Sequence, residues 1–243
     1  MSQYLSGTLA KAFKILTYLD QQPTATLTTI ATALNYNKTT AFRLLASLVE
    51  LGYVTKQAQT YALSTRQQAL IQFNNPRLNW VATSIMRQIT QPYQVSAYIG
   101  ILTGPDVVIT QVVDYQGDLA EYAKIGSAAP INESALGKCI AAYLPTTQQQ
   151  ALSHQLNSAA TKYTLTDQVG FLQNLKIIHD QGYALDDEES SFGIRCLAVP
   201  IIKNDQVIAA LGVAGSLDRM QRRNLKRLAQ VLTQCSQTIA LQF

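Results

Sequence analysis

From Leu9 onward the apolar positions Leu9, Ala12, Phe13, Leu16 and Leu19 recur at i, i+3, i+4 and i+7, which predicts an amphipathic helix. Ser6 and Thr8 are its candidate N-caps, and Gln21-Gln22-Pro23 ends it. A shorter helix follows with Leu27, Ile30, Ala31 and Leu34 on its buried face. After a turn and N-cap at Asn35-Tyr36-Asn37, a third helix is expected from about Lys38 to Leu51, with Ala41, Leu44, Leu45, Leu48 and Val49 facing inward. Gly52 stands where a left-handed C-terminal residue is wanted. Tyr53–Thr55 and Thr60–Leu63 alternate around the polar tip Lys56–Gln59 and read as a small β-hairpin.

Three helices and a hairpin in this order form a winged helix-turn-helix pattern. On the third helix Lys38, Thr39, Thr40, Arg43 and Ser47 make a polar stripe opposite the leucines. The stripe begins at the helix N-terminus, the part that a recognition helix places deepest in the major groove. Lys56 at the hairpin tip adds a cation suited to a phosphate.

The pattern then changes. Residues 67–92 read as a linker: Phe73-Asn74-Asn75-Pro76 is a break, and Leu78, Val81, Ile85 and Ile89 define a connecting helix ending at Pro92. Beyond it strands and helices alternate. Val95–Leu102 and Val107–Val113 flank the turn Thr103-Gly104-Pro105-Asp106. Strands are also expected at Ala120–Ile125, Tyr183–Leu185, Ile194–Ile202 and Val207–Ala214, the last two joined at Asn204-Asp205. Helices are expected at Ser134–Tyr143, Thr147–Leu156, Gln168–Gln181 and from about Asp218. Hairpins with separate helices indicate an α+β domain built on an antiparallel sheet. The domains are therefore residues 1–66, the linker 67–92, and residues 93–243.

Charge sharpens this division. The chain of 243 residues has only 14% charged residues, against a usual value of about 25%, and a net charge of +4. Residues 1–66 hold Lys11, Lys14, Lys38, Arg43, Lys56 and Arg66 against Asp20 and Glu50, so the whole excess lies there. A basic module facing a polyanion, joined to a neutral body, fits that distribution. The three cysteines, Cys139, Cys196 and Cys235, contain no C-x-x-C pair and argue against a disulfide framework. With no signal-like N-terminus and no apolar run of membrane-spanning length, the expectation is a cytoplasmic protein with no membrane association.

Catalytic motifs are scarce. His154 and His179 lack companions at metal-ligand spacing, so no metal or cofactor is expected. Gly137-Lys138 fails as a phosphate loop because Asn132 and Cys139 stand where Gly and Ser or Thr are needed. Two constellations remain. The loop Gly126–Ser134, rich in small residues, opens a helix whose first N–H groups suit an anion. The segment Asp186-Asp187-Glu188-Glu189 through Arg195-Cys196 enters an apolar strand. Alternation puts Asp186 with Glu188 and Asp187 with Glu189 on opposite sides, with Arg195 available to one carboxylate.

The chain resembles the IclR family of bacterial transcriptional regulators over nearly its whole length. In the first domain the resemblance rests on Leu27-Thr28-Thr29-Ile30-Ala31, Asn37–Leu45 and Leu48–Val54. In the second it rests on Ile125-Gly126, Ala135-Leu136-Gly137-Lys138, Gly182–Glu189 and Gly193–Pro200. It implies a winged-helix DNA-binding domain, a linker helix and a GAF-like effector-binding and oligomerisation domain. It also implies a homodimer or homotetramer that binds an approximately palindromic operator in double-stranded DNA under control of a small-molecule effector, without catalysis. By matching, the effector lies against Ile131, Asn132, Glu133 and Ser134, with Asp186 and Cys196 on the strands that follow. Where oxo-acid-binding members often carry serines on the last strand, this chain has Gly212 and Ala214, and the emptied space suits a larger or less polar ligand. Two other readings compete. A GAF-like thiol enzyme would use Cys196 as nucleophile, but no His base or nearby resolving Cys is evident. A winged helix serving only protein interaction is the other.

Overall fold

The computed structural model describes residues 6–22, 24–64 and 76–242. Pro23, the boundary at residue 66, the break at 73–75 and the side chain of Leu78 lie outside the described residues. The chain falls into two compact units, residues 1–72 and 73–243.

In the first unit helix α1 (Gly7–Gln21) starts at Ser6, whose side chain accepts from the Leu9 N–H. Strand β1 (Ala25–Thr26) leads into α2 (Leu27–Ala33), where the Thr26 hydroxyl accepts from the Thr29 N–H at 3.2 Å. Asn35 turns the chain at φ 54°, and Asn37 Oδ1 accepts from the Thr40 N–H at 2.7 Å to start α3 (Lys38–Glu50). Capping of this kind contributes about 1 kcal/mol per helix. Strands β2 (Val54–Gln57) and β3 (Thr60–Leu63) form the hairpin, and β1 joins them in the order β1-β3-β2. Ile15, Leu16, Leu19, Ile30, Leu45, Leu48, Val54 and Tyr61 make the core.

The expected inner face of α1 needs correction. Leu9 and Phe13 are exposed, and Ile15 takes their place in the core. Phe13 lies about 60° round the helix from Leu16, at the edge of the stripe. Leu9 shares the direction of Leu16 but stands two turns nearer the helix start, past the end of the small core.

The second unit is a six-stranded antiparallel sheet between two layers of helices. Helix α4 (Pro76–Tyr93) precedes β4 (Ser96–Thr103) and β5 (Asp106–Val113), and Gly104, at φ 60°, supplies the positive φ their two-residue turn requires. Next come the one-turn helix α5 (Leu119–Tyr122), β6 (Ala128–Pro130), α6 (Ala135–Ala142), α7 (Thr146–Ser153) and α8 (Gln168–Gln181). Strands β7 (Ala184–Asp187), β8 (Ile194–Lys203) and β9 (Gln206–Ser216) and helix α9 (Arg222–Gln242) complete it. The strand order is β6-β5-β4-β9-β8-β7. Helices α4 and α9 pack on one face of the sheet, and α6 on the other with α8 beside it. Covered on both faces, β8 and β9 read as nearly continuous apolar runs.

Residues 120–125 do not form the expected strand. Asp118 caps Ala120 N–H at 2.9 Å and winds the segment into α5, and Gly126 at φ 80° then turns the chain so that 128–130 pair with β5 instead. The apparent alternation had no buried side to match: Ala120, Ala123, Lys124 and Ile125 are all exposed.

Candidate functional site

The polar stripe on the third helix is realised in part. Lys38, Thr39, Arg43 and Ser47 are exposed on α3, Thr40 is half-buried beside its cap, and Lys56 is exposed on β2. The Lys56 ammonium lies 5.6 Å from the centroid of the ring of Tyr61, its cross-strand partner one pair from the end of the hairpin, which steadies it near the tip of the wing. Sequence reasoning missed Phe42, half exposed beside Arg43. Its signal was an apolar residue outside the leucine spacing.

The second unit holds a cavity of about 330 Å³ between the sheet and the start of α6. Strand register builds its floor. Ser96, Ala214, Cys196 and Asp186 are direct cross-strand partners along one row over β4, β9, β8 and β7. Residues so aligned point to the same face of a sheet. Two residues along, Tyr98 and Gly212 form the next row. Glu133, Ser134, Ala135 and Leu136 close the cavity from above, and Glu121, Lys124 and Ser190 from the sides.

The four residues expected before α6 divide into two pairs. Glu133 and Ser134 line the cavity, whereas Ile131 and Asn132 are fully buried and do not. Ile131 packs under Gly137, where any added Cβ would meet its backbone at 3.0 Å. The Asn132 amide donates to the Asn157 and Leu165 carbonyls at 3.1 and 3.0 Å, and its Oδ1 accepts from the Asn157 N–H at 3.3 Å. Asn132 thus holds the framework. Ser134 caps α6 through the Gly137 N–H at 3.4 Å, leaving the Ala135 and Leu136 N–H groups ahead of the first intrahelical bond.

Asp186 is 1% exposed and its carboxylate is fully engaged. Oδ1 accepts from the N–H groups of Glu189 (2.7 Å) and Ser190 (3.2 Å), and Oδ2 from the Ser190 hydroxyl at 2.6 Å. Its first task is therefore to fold the loop beside the cavity. The expected alternation stops there: Glu188 turns at φ 65°, and Glu189 comes back to pair with Lys138, which is completely buried on α6. Burial pushes the Glu189 carboxyl up, and Lys138 opposes that rise. The Thr161 and Thr164 hydroxyls fix the same loop by donating to the Glu188 and Glu189 carbonyls at 2.7 and 2.6 Å. Arg195 does find a carboxylate, Asp187 at 2.6 Å, on the opposite face of the sheet, where Arg222 joins at 2.7 Å.

Burial, reinforced by Asp186, raises the Cys196 thiol well above its usual range. That holds it protonated, the reverse of an activated nucleophile. Across the cavity the Tyr98 hydroxyl donates to Glu121, and both Glu121 oxygens accept from Lys124 at 2.7 and 2.8 Å. Burial first, then Glu121, raises the Tyr98 phenol. These three residues were not foreseen. Tyr98 sits in an ordinary apolar strand, and the Glu121–Lys124 spacing is informative only once the segment is known to be helical.

The emptied space at Gly212 also needs correction. A Cβ there would lie 2.8 Å from Leu136 Cδ2, so Leu136 occupies much of what a serine would fill. Among the described residues no group of three or more His, Cys, Asp or Glu could hold a metal ion, and no helix is long and apolar enough to cross a membrane.

Comparison with known proteins agrees with this architecture. Residues 8–58 match the IclR helix-turn-helix domain, and residues 73–241 match the bacterial transcriptional regulator IclR C-terminal domain. The HTH-type transcriptional regulator KdgR of Escherichia coli (strain K12) is 26% identical over 97% of this chain and 92% of its own length. The HTH-type regulator XynR of the same organism is 26% identical over 92% of each chain. Among solved structures, Thermotoga maritima IclR superposes with a TM-score of 0.64 at 22% identity, covering 96% of this chain and 97% of its own. An IclR homologue from Microbacterium hydrocarbonoxydans, complexed with 4-hydroxybenzoate, gives 0.66 at 19% identity over 97% and 98%. With both domain families matched in order along the chain, the protein belongs to the IclR family of bacterial transcriptional regulators.

Proposed function

We propose that the first unit binds an approximately palindromic operator and that a small metabolite held in the cavity of the second unit sets operator affinity. The carrying observation is the cavity itself. One row of four strands, the start of α6 and the loop folded by Asp186 converge on a space of about 330 Å³, the size of a small-ligand site. The 4-hydroxybenzoate held by the Microbacterium relative supports a small molecule as the occupant. The contacting residues in this reading are Glu133, Ser134, Asp186 and Cys196, joined by Tyr98, Glu121 and Ser190. On the DNA side they are Lys38, Thr39, Thr40, Arg43, Ser47 and Lys56. The protein acts in the cytoplasm and carries out no catalysis of its own.

A ligand can move operator affinity only by binding the DNA-competent and incompetent states unequally. Helix α4 is the proposed lever, because it lies on β4 and β5 and begins the second unit immediately after the connection from the first. The test is a gel shift of the full chain on genomic fragments at two salt concentrations, repeated with small metabolites that raise its thermal midpoint. Affinity for one fragment above the rest, weakened or strengthened by such a metabolite about 5–150-fold, is expected. Salt-insensitive binding, or binding equal on all fragments with and without metabolite, would overturn the reading.

A further inference from the structure

The charges on the cavity wall do not balance. Glu121, Glu133 and Asp186 all line it, and Lys124 is the only cation among the described lining residues. That cation is already bound to both oxygens of Glu121. The nearby buried ammonium of Lys138 is taken by Glu189 and does not line the cavity. Both oxygens of Asp186 are engaged by the loop it folds. Glu133 is different: it is half-buried, faces the cavity and has no hydrogen-bond partner among the described residues. Burial, with Asp186 and Asp106 nearby, pushes its carboxyl up. The start of α6 contributes about half a positive charge, which three carboxylates outnumber.

We infer that the ligand of this cavity is a neutral or cationic hydrogen-bond donor, an alcohol, polyol or amine without a carboxylate, whose O–H or N–H groups are accepted by Glu133. This rests on the reading of the cavity as the effector site, and it narrows the ligand class. An anion entering here would meet a net negative wall and no uncommitted cation, and would offer Glu133 no donor. A donor satisfies Glu133, while Ile109, Ala129 and Leu136 offer an apolar wall to the rest of the molecule.

Cys196 lines the cavity and reports its potential without any need to know the ligand. The full chain is treated with two methanethiosulfonate reagents of matched size, one carrying a trimethylammonium group and one a sulfonate. Modification at Cys196 and at Cys235, which stands on α9 and does not line the cavity, is followed by mass spectrometry. The same thiolate attacks both reagents, forming a mixed disulfide and expelling methanesulfinate, so their rate ratio does not depend on how much of the thiol is ionised. The cation-to-anion ratio at Cys196 is expected to exceed that at Cys235 about tenfold. Glu133→Gln should lower the Cys196 ratio several-fold and leave the Cys235 ratio alone. A Cys196 ratio no higher than that of Cys235, or one that Glu133→Gln does not move, overturns the inference while leaving the cavity reachable. Reaction of the small neutral methyl methanethiosulfonate at Cys196, with none there by either charged reagent, shows a reactive thiol in a cavity closed to solutes of that size, and the effector-site reading falls with it.

Discussion

Arg43 stands on the exposed side of α3, about one and a half turns in from the Asn37 cap, where a recognition helix meets base edges or phosphates. Arg43→Ala is expected to lower specific operator affinity by about 1–3 kcal/mol, the value of one such contact. Lys56, out on the wing, is a phosphate neighbour in this reading, so Lys56→Ala should weaken all sequences alike and flatten the salt dependence by about one unit of slope. Fluorescence anisotropy on operator and scrambled duplexes separates the two. Equal losses on both duplexes for Arg43→Ala would remove it from base reading. Glu133 allows a second residue-level test. Its carboxyl is raised by burial and by the neighbouring Asp186 and Asp106, so the folded state holds that proton more tightly than the unfolded chain does. The resulting stability is fully present below the unfolded carboxylate range and is lost as pH rises through the raised value. Glu133→Gln should therefore melt higher than wild type at pH 7, with the difference closing towards pH 4. A melting difference that is independent of pH would contradict the assignment.

Elements, unlike residues, are coupled through packing, and α6 and β9 are in close contact at Leu136 and Gly212. Leu136 fills the space above Gly212, and a Cβ at Gly100 would likewise approach Leu136 at 3.1 Å. Gly212→Ser should cost about 1–3 kcal/mol by overpacking. In Leu136→Ala the added serine should cost little, so a double-mutant cycle in urea is expected to show clear non-additivity. Additive effects would mean that the helix and strand do not compete for this space. The same contact marks where sequence reading stopped. The three helices and hairpin of the first unit were legible because each had a local signature: Asn37 as cap, leucines at helical spacing, and Gly52 after the last turn. The hairpins of the second unit were legible for the same reason, through Gly104-Pro105 and Asn204-Asp205. Strand β1 was not, because two residues carry no period. Nor was α5, where a one-turn helix and a short strand share one apolar pattern and the cap at Asp118 decides. Asp186 and Cys196 were chosen from motif matching, but it is register over β7 and β8 that makes them neighbours. The burial of Asn132 and the arrival of Tyr98, Glu121 and Lys124 at the same cavity depend on contacts between segments distant in sequence, which no local pattern encodes.

At the scale of the whole molecule the question is how one recognition helix suffices. The 13 residues of α3 span about 20 Å and touch only a few base pairs from their exposed side. Each base pair discriminates by about 1–3 kcal/mol, too little for one module to find its site among genomic competitors. A two-fold pair of chains doubles the contacts and imposes half-sites about 34–36 Å apart, or a multiple of that, related as an approximate palindrome. The full-length protein is therefore expected to sediment as a dimer or tetramer at micromolar concentration and to protect two inverted half-sites in a footprint. Ligand and operator should then act reciprocally: a metabolite that weakens operator binding by a given factor must itself bind the operator complex more weakly by the same factor. Calorimetry of the metabolite with and without operator duplex measures this directly. A protein that sediments as a monomer and binds one chain per site would remove the two-fold pair. A metabolite affinity unchanged by operator when operator affinity is changed by metabolite would mean that the two sites do not share one assembly, since linkage between sites on one assembly forbids it.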